Sequence, residues 1–189
     1  MPKNAIVLLA EGFEEVEAVT PIDYLRRAGI TVTAAAIGES LNVRGARGIT
    51  VAADALLKNL AAEGKAGSRA WDAVILPGGT AGAANIAASA EAGALIKDMA
   101  SAGKTVCAIC AAPAAALAPL GLLSGKKFTC YPGLEEKAPE GKWTDERVAI
   151  DGIIITSRGA GTAGAFAVAI IGQLLGKEEG DKVAKSVLL

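Results

Sequence analysis

Histidine is absent from the 189 residues. Without an imidazole the chain cannot assemble a Ser-His-Asp triad or a Cys-His dyad from its own side chains, and a His-based zinc site is excluded as well. Aromatic residues amount to 4%, too few to offer stacking platforms for bases. Neither sign of charge dominates: 19 Lys and Arg face 20 Asp and Glu, for a net charge of -1. The electrostatic footprint of a nucleic-acid or anionic-membrane binder is therefore missing, and no sequence-specific nucleic-acid partner is expected. Cysteines number 3, an odd, small count that fits free thiols in a reducing compartment, so the expected location is cytoplasmic. The first apolar run, Ala5 to Ala10, meets Glu11 at once and is too short for a signal-peptide core. Thr105 to Gly125 lacks charge, but it carries Pro113, Pro119 and Gly121 and is rich in Ala. A buried strand followed by a buried helix accounts for it better than a membrane span.

What is present is globular. Apolar residues make up 52% and charged residues 21%, and the length fits one domain, residues 1–189, with no linker or repeat. Strand-like and helix-like stretches alternate. Strands are expected at Asn4–Ala10, Ile30–Ile37, Ala73–Leu76, Thr105–Ile109 and Lys127–Cys130, with a hairpin around Asp151-Gly152. Helices are expected at Glu14–Ala28, after Gly79 with a break near Gly93, at Ala111–Leu117, at Thr162–Leu175 and at Glu178–Ser186. This order implies a mostly parallel sheet covered on both faces, whose sites lie at the carboxyl ends of the strands.

Four strand ends carry chemistry. Cys110 follows the strand ending at Ile109 and precedes a helix, with the small Ala108 and Ala112 two residues to either side. A sharp strand-to-helix turn needs that spacing to expose a nucleophile. Backbone N–H groups and the helix dipole there favour an anion, so the thiol is expected below its free pKa of about 8.5. Pro77-Gly78-Gly79 can bring backbone N–H groups close to an oxyanion. In Glu11-Gly12-Phe13-Glu14-Glu15-Val16-Glu17, Glu17 falls near the core stripe of its helix, whereas Glu14 and Glu15 are expected in solvent. A carboxyl facing a dry pocket has a raised pKa and can act as a proton carrier. Arg158-Gly159-Ala160-Gly161-Thr162 is a further glycine-rich helix entry that could border the same pocket, with Thr162 as helix cap. Cys107 shares a CxxC spacing with Cys110 but falls on the strand, so that match is read as accidental.

Taken in order, GFEEVEAV, ILPGG, AICAAP and TSRGAGT resemble the ThiJ/PfpI superfamily, in its parkinsonism-associated deglycase, glyoxalase III-like branch. The resemblance covers nearly the whole chain. It implies a flavodoxin-like three-layer α/β sandwich, with Cys110 as the elbow nucleophile and Glu17 as a protonated acid on its sulfur. It further implies that Gly78, Gly79 and Ala111 supply backbone N–H groups and that Arg27 and Arg47 gather near the pocket at a subunit boundary. A homodimer joined through the first helix is implied, and no cofactor or metal is required. Where the family often has His-Pro, this chain has Tyr131-Pro132, which argues against a protease-like Cys-His mechanism and leaves Tyr131 as a pocket or lid aromatic. The implied activity is cofactor-independent conversion of methylglyoxal or glyoxal, or deglycation of their adducts, linked to protection against oxidative stress. The alternative is a redox sensor or chaperone that works by oxidation of Cys110 to the sulfinic acid.

Overall fold

The structure is a computed structural model and describes residues 2–189. In chain order the strands are β1 (Asn4–Leu9), β2 (Thr31–Ala36), β3 (Asn42–Arg44), β4 (Thr50–Ala52), β5 (Ala55–Leu56), β6 (Ala73–Leu76), β7 (Thr105–Ile109), β8 (Lys127–Phe128), β9 (Lys142–Trp143), β10 (Val148–Asp151) and β11 (Ile154–Ser157). The α-helices are α1 (Glu15–Arg27), α2 (Leu57–Ala62), α3 (Thr80–Ala88), α4 (Ala90–Ser101), α5 (Ala163–Leu175) and α6 (Lys177–Ser186). Seven strands form one sheet in the order β10-β11-β7-β6-β1-β2-β5, parallel except for the β10–β11 pair. This is the mostly parallel, helix-covered architecture expected from the alternating pattern.

Period-two alternation distributes each strand between two cores. Ile6, Leu8 and Ala10 of the first strand face α2, α3 and α4, packing with Leu60, Ile86, Leu95 and Met99. Ala5, Val7 and Leu9 face α1 and α5, packing with Leu25, Phe166 and Ile170. Apolar on both sides, β1, β6 and β7 must occupy the middle of the sheet. Order reverses between β1 and β6, since β2 lies to one side of β1 and β6 to the other. A crevice at the strand ends of such a switch point is where ligands bind in this class of sheet.

Three local readings change. The break in the helical stretch falls at Ser89, not near Gly93. Ser89 sits in an extended conformation and its hydroxyl accepts the Ala92 N–H at 3.2 Å, capping α4, while Gly93 lies inside that helix. The strand expected to reach Cys130 stops at Phe128, because the Thr129 N–H turns to the Thr156 hydroxyl at 2.9 Å. After Cys110 the chain makes a π-type turn, Pro113–Leu117, and then a 3₁₀ turn, Ala118–Leu120, instead of a regular helix. Pro119, which has no N–H to give, sits in that second turn. Among the described residues no helix is long and apolar enough to cross a membrane.

Phe166 is fully buried on α5 against the sheet. Phe166→Ala is expected to cost about 3–5 kcal/mol, read as a lower urea midpoint at unchanged slope.

Candidate active site

Cys110 is the residue after β7 and, among the described residues, one of two non-glycine residues with positive φ, at 63°. A left-handed conformation costs an L-residue about 1–2 kcal/mol, so other contacts must hold it. Its N–H donates to the Ser157 carbonyl (2.9 Å), and its own carbonyl accepts the Tyr131 N–H (2.9 Å). The elbow is thus clamped between β11 and the segment after β8, and its side chain is pushed out at the sheet's carboxyl edge. Of the three free cysteines it alone is partly accessible; Cys107 and Cys130 are buried.

Glu17 lies one turn into α1 and is 1% exposed. Its Oε2 accepts the Gly78 N–H at 2.8 Å, and its carboxyl lies against the Cys110 thiol, each acting on the other's pKa. Gly78 is required by closeness: a Cβ there would stand 2.6 Å from both Cys110 Cβ and Glu17 Oε2. Gly79 adopts φ 81°, and a Cβ there would meet the Gly12 carbonyl oxygen at 2.4 Å. The backbone amides of Gly79 and Ala111 act on the sulfur and draw its pKa down. Two of the three expected amide donors therefore face the reacting atom, whereas the Gly78 N–H is engaged by Glu17.

Burial drives the electrostatics of the pair. It lifts the Glu17 carboxyl from the ordinary 4.5 to about 7, against the opposing pull of the Gly78 N–H. Burial, then the Glu17 charge and hydrogen bond, push the Cys110 thiol up to about 12, with only partial relief from the Gly79 and Ala111 amides. The expectation of a lowered thiol pKa counted the amides and the dipole but neither the desolvation nor the carboxylate beside it, and the latter two win. Two acids in contact titrate as a unit: below about pH 7 the pair holds two protons and no charge, and above it one proton and one negative charge.

An open cleft of about 490 Å³ lies over the thiol, lined by Glu14, Arg47, Gly79, Cys110, Ala111 and Tyr131 among others. Arg47 reaches Glu14 at 3.5 Å. Tyr131 is exposed at the rim. Arg27 is not in this cleft. It is exposed and paired with Asp23, and ten helical residues separate it from Glu17, a rise of about 15 Å. Thr162 does not cap α5 through its side chain; its hydroxyl accepts the Gly159 N–H at 3.1 Å instead.

Glu15, expected in solvent, is buried. Its Oε1 accepts the N–H groups of Arg47 (2.7 Å) and Ile49 (3.2 Å). These bonds hold its pKa low despite the opposing desolvation, and they fix the β3–β4 loop that carries Arg47. The pattern Glu14-Glu15-Val16-Glu17 gave no sign of it, because the loop that buries Glu15 comes some thirty residues later. Among the described residues no cluster of three or more His, Cys, Asp or Glu is placed to hold a metal ion.

Because folding raises the Glu17 pKa, the folded state binds the extra proton between about 4.5 and 7. The contribution of Glu17 to stability is full below that window and is lost as pH rises through it, by up to about 3 kcal/mol. Urea unfolding at pH 5 and pH 8 checks this: the wild type is expected to lose that margin relative to Glu17→Gln, which does not titrate.

The sequence matches the DJ-1/PfpI family over residues 3–173. It is 40% identical over 97% of its length to Protein DJ-1 homolog B of Arabidopsis thaliana, of which it spans only 41%. It is 34% identical to the Glutathione-independent glyoxalase DJR-1.2 of Caenorhabditis elegans, across 99% of this chain and 97% of that one. The crystal structure of Drosophila melanogaster DJ-1beta superposes with a TM-score of 0.92 at 39% identity, covering 100% of this chain and 99% of that one. A match of this extent, over a fold with a clamped cysteine at the carboxyl edge of its central sheet, makes this chain a member of the DJ-1/PfpI family.

Proposed function

We propose that the chain is a cofactor-independent glyoxalase acting on methylglyoxal, glyoxal or their adducts, with Cys110 as nucleophile and Glu17 as proton carrier. The observation that supports this most is the buried Glu17 carboxyl, with a pKa of about 7, in contact with the one accessible thiol. The name of the Caenorhabditis relative points the same way.

The chemistry needs sulfur as the anion. Within the singly charged pair the proton can sit on Glu17, leaving a thiolate that the Gly79 and Ala111 amides and the carboxyl stabilise. The thiolate adds to the aldehyde carbon, and the new alkoxide takes the proton from Glu17, giving a hemithioacetal. While the charge is on oxygen, the same amides serve as its hydrogen-bond donors. Glu17, now ionised, removes the proton from that carbon and returns it to the neighbouring carbon through an enediolate. The product is a 2-hydroxy thioester. Water hydrolyses it, releasing lactate from methylglyoxal and restoring the thiol. One water is consumed, and no external oxidant or reductant enters.

The exposed apolar side chains of Val16 and Val19 on α1, with Ile49 beside the cleft loop, support a homodimer with α1 in its interface. The free thiols fit the cytoplasm. A sensor role by oxidation of Cys110 uses the same accessible sulfur, and deglycation of adducts would begin with the same attack.

Cys110→Ala is expected to abolish lactate formation from methylglyoxal, and Glu17→Gln to lower kcat at least 100-fold. Full activity in Glu17→Gln would remove Glu17 from this role, while a stable Cys110 sulfinate after mild peroxide, with negligible turnover in the same sample, would favour the sensor. Alkylation of Cys110 by iodoacetamide is expected to rise through a midpoint near pH 7 and then level off. A rate that climbs only above pH 10 would mean that the proton never leaves sulfur.

A further inference from the structure

On the far side of Tyr131 from Arg47 lies a second groove, of about 450 Å³, lined by Tyr131, Arg147, Arg158 and the loop Gly159–Thr162. It adjoins the reactive sulfur: a Cβ built on Gly159 would lie 3.6 Å from the Tyr131 ring and 4.0 Å from Cys110 Sγ. Arg147 and Arg158 extend the antiparallel β10–β11 pair by one step beyond Val148–Ser157, and the Arg158 N–H donates to the Arg147 carbonyl at 3.3 Å. They are therefore direct cross-strand neighbours with side chains on the same face of the ribbon. Like charges in that relation are destabilising unless something of opposite sign offsets them.

Among the described residues no carboxylate forms an ion pair with either arginine, although Glu17 Oε1 stands 3.9 Å from a Cβ built on Gly159 at the groove wall. Neither guanidinium lies within ion-pair distance of a carboxylate; Arg147 Nη2 donates to the Gly161 carbonyl (2.9 Å) and Arg158 Nη1 to the Asp145 carbonyl (3.0 Å). Arg47, by contrast, has a carboxylate partner in Glu14, at 3.5 Å. The groove is also built, not incidental. Ser157 Oγ donates to the Arg147 carbonyl (2.8 Å) and lies 2.6 Å from Thr162 Oγ1, which accepts the Gly159 N–H (3.1 Å). That buried hydroxyl pair locks the arginine ribbon to the turn Ala160–Thr162 that leads into α5. Two guanidiniums without a carboxylate partner then line one space beside the nucleophile.

We infer that this groove is an oxyanion subsite for the substrate: it takes a carboxylate or phosphate carried by the aldehyde or adduct whose carbonyl Cys110 attacks. This deepens, and rests on, the reading of Cys110 as a nucleophile. It would favour anionic carbonyl compounds over neutral methylglyoxal. Guanidiniums, with their paired donors, suit both oxyanions.

Two reagents that differ only in charge test it, iodoacetate and iodoacetamide. In low salt the ratio of their Cys110 alkylation rates is expected to exceed that of a free cysteine peptide by about 10-fold. It should fall to the peptide value in Arg147→Gln/Arg158→Gln and be kept in Arg158→Lys, with folding of each variant checked by circular dichroism. A ratio equal to the peptide's, or one abolished by Arg47→Gln and untouched by the double variant, overturns the subsite. If neither reagent modifies Cys110, the nucleophile reading fails, and a second measurement still decides the subsite. Inorganic phosphate, and separately acetate, should raise the melting temperature of the wild type and not of the double variant. Stabilisation by phosphate alone assigns the groove to phosphate esters, stabilisation by acetate alone to carboxylates, and stabilisation by neither overturns it.

Discussion

One proton held between two buried acids is the constraint on which the rest of this molecule turns. Glu17 and Cys110 are brought into contact by chain segments ninety residues apart, in a space so confined that position 78 admits no side chain. Glu17 is almost wholly withdrawn from water and Cys110 partly so, and neither acid can ionise cheaply by itself. The pair settles the conflict by carrying a single charge. Everything nearby serves that arrangement: the Gly78 N–H fixes one carboxyl oxygen, and the Gly79 and Ala111 amides address the sulfur.

The sheet makes the contact possible. β1 delivers α1 and Glu17, β6 delivers the two glycines and β7 delivers Cys110, and all three strands are adjacent at the centre. Their residues are apolar on both faces, so each strand has one place in the sheet and its end is located with it. A left-handed cysteine is tolerable only because β11 and the segment carrying Tyr131 each give it a backbone hydrogen bond. The strain is thereby offset by contacts spread over strands far apart in sequence, as strained functional residues generally require.

Alternating apolar stretches make the mostly parallel sheet and its two helical layers legible from sequence, and the small residues flanking Cys110 mark the elbow. What escaped notice depended on contacts distant along the chain. Glu15 looks like its neighbour Glu14 until the β3–β4 loop folds over it. The direction of the thiol's shift was misjudged because the helix entry is visible locally, whereas desolvation and the Glu17 charge arise only on folding. Arg27 reads as a pocket residue by motif, yet helical rise alone carries it away from the cleft of its own chain. Ser89 outranked Gly93 as a helix break because a hydroxyl that caps the next helix ends a helix more decisively than a glycine inside one.

A chain without histidine still has to move protons near neutral pH, and burial is the means available to it. A carboxyl in water is spent as an acid by pH 5. The same group with its charge desolvated titrates at about 7, where an imidazole would, and can both give and take a proton under the conditions in which the thiol must work. The device has a cost that imidazole does not impose, because an ionised Glu17 opposes ionisation of the sulfur it serves. The only reactive form is therefore the one in which the proton has crossed from sulfur to oxygen, and no basic side chain touches the pair to favour that transfer. Backbone amides do so instead. They carry no net charge, do not titrate, and are fixed by the turn itself, so their stabilisation of the sulfur is the same at every pH at which the fold survives.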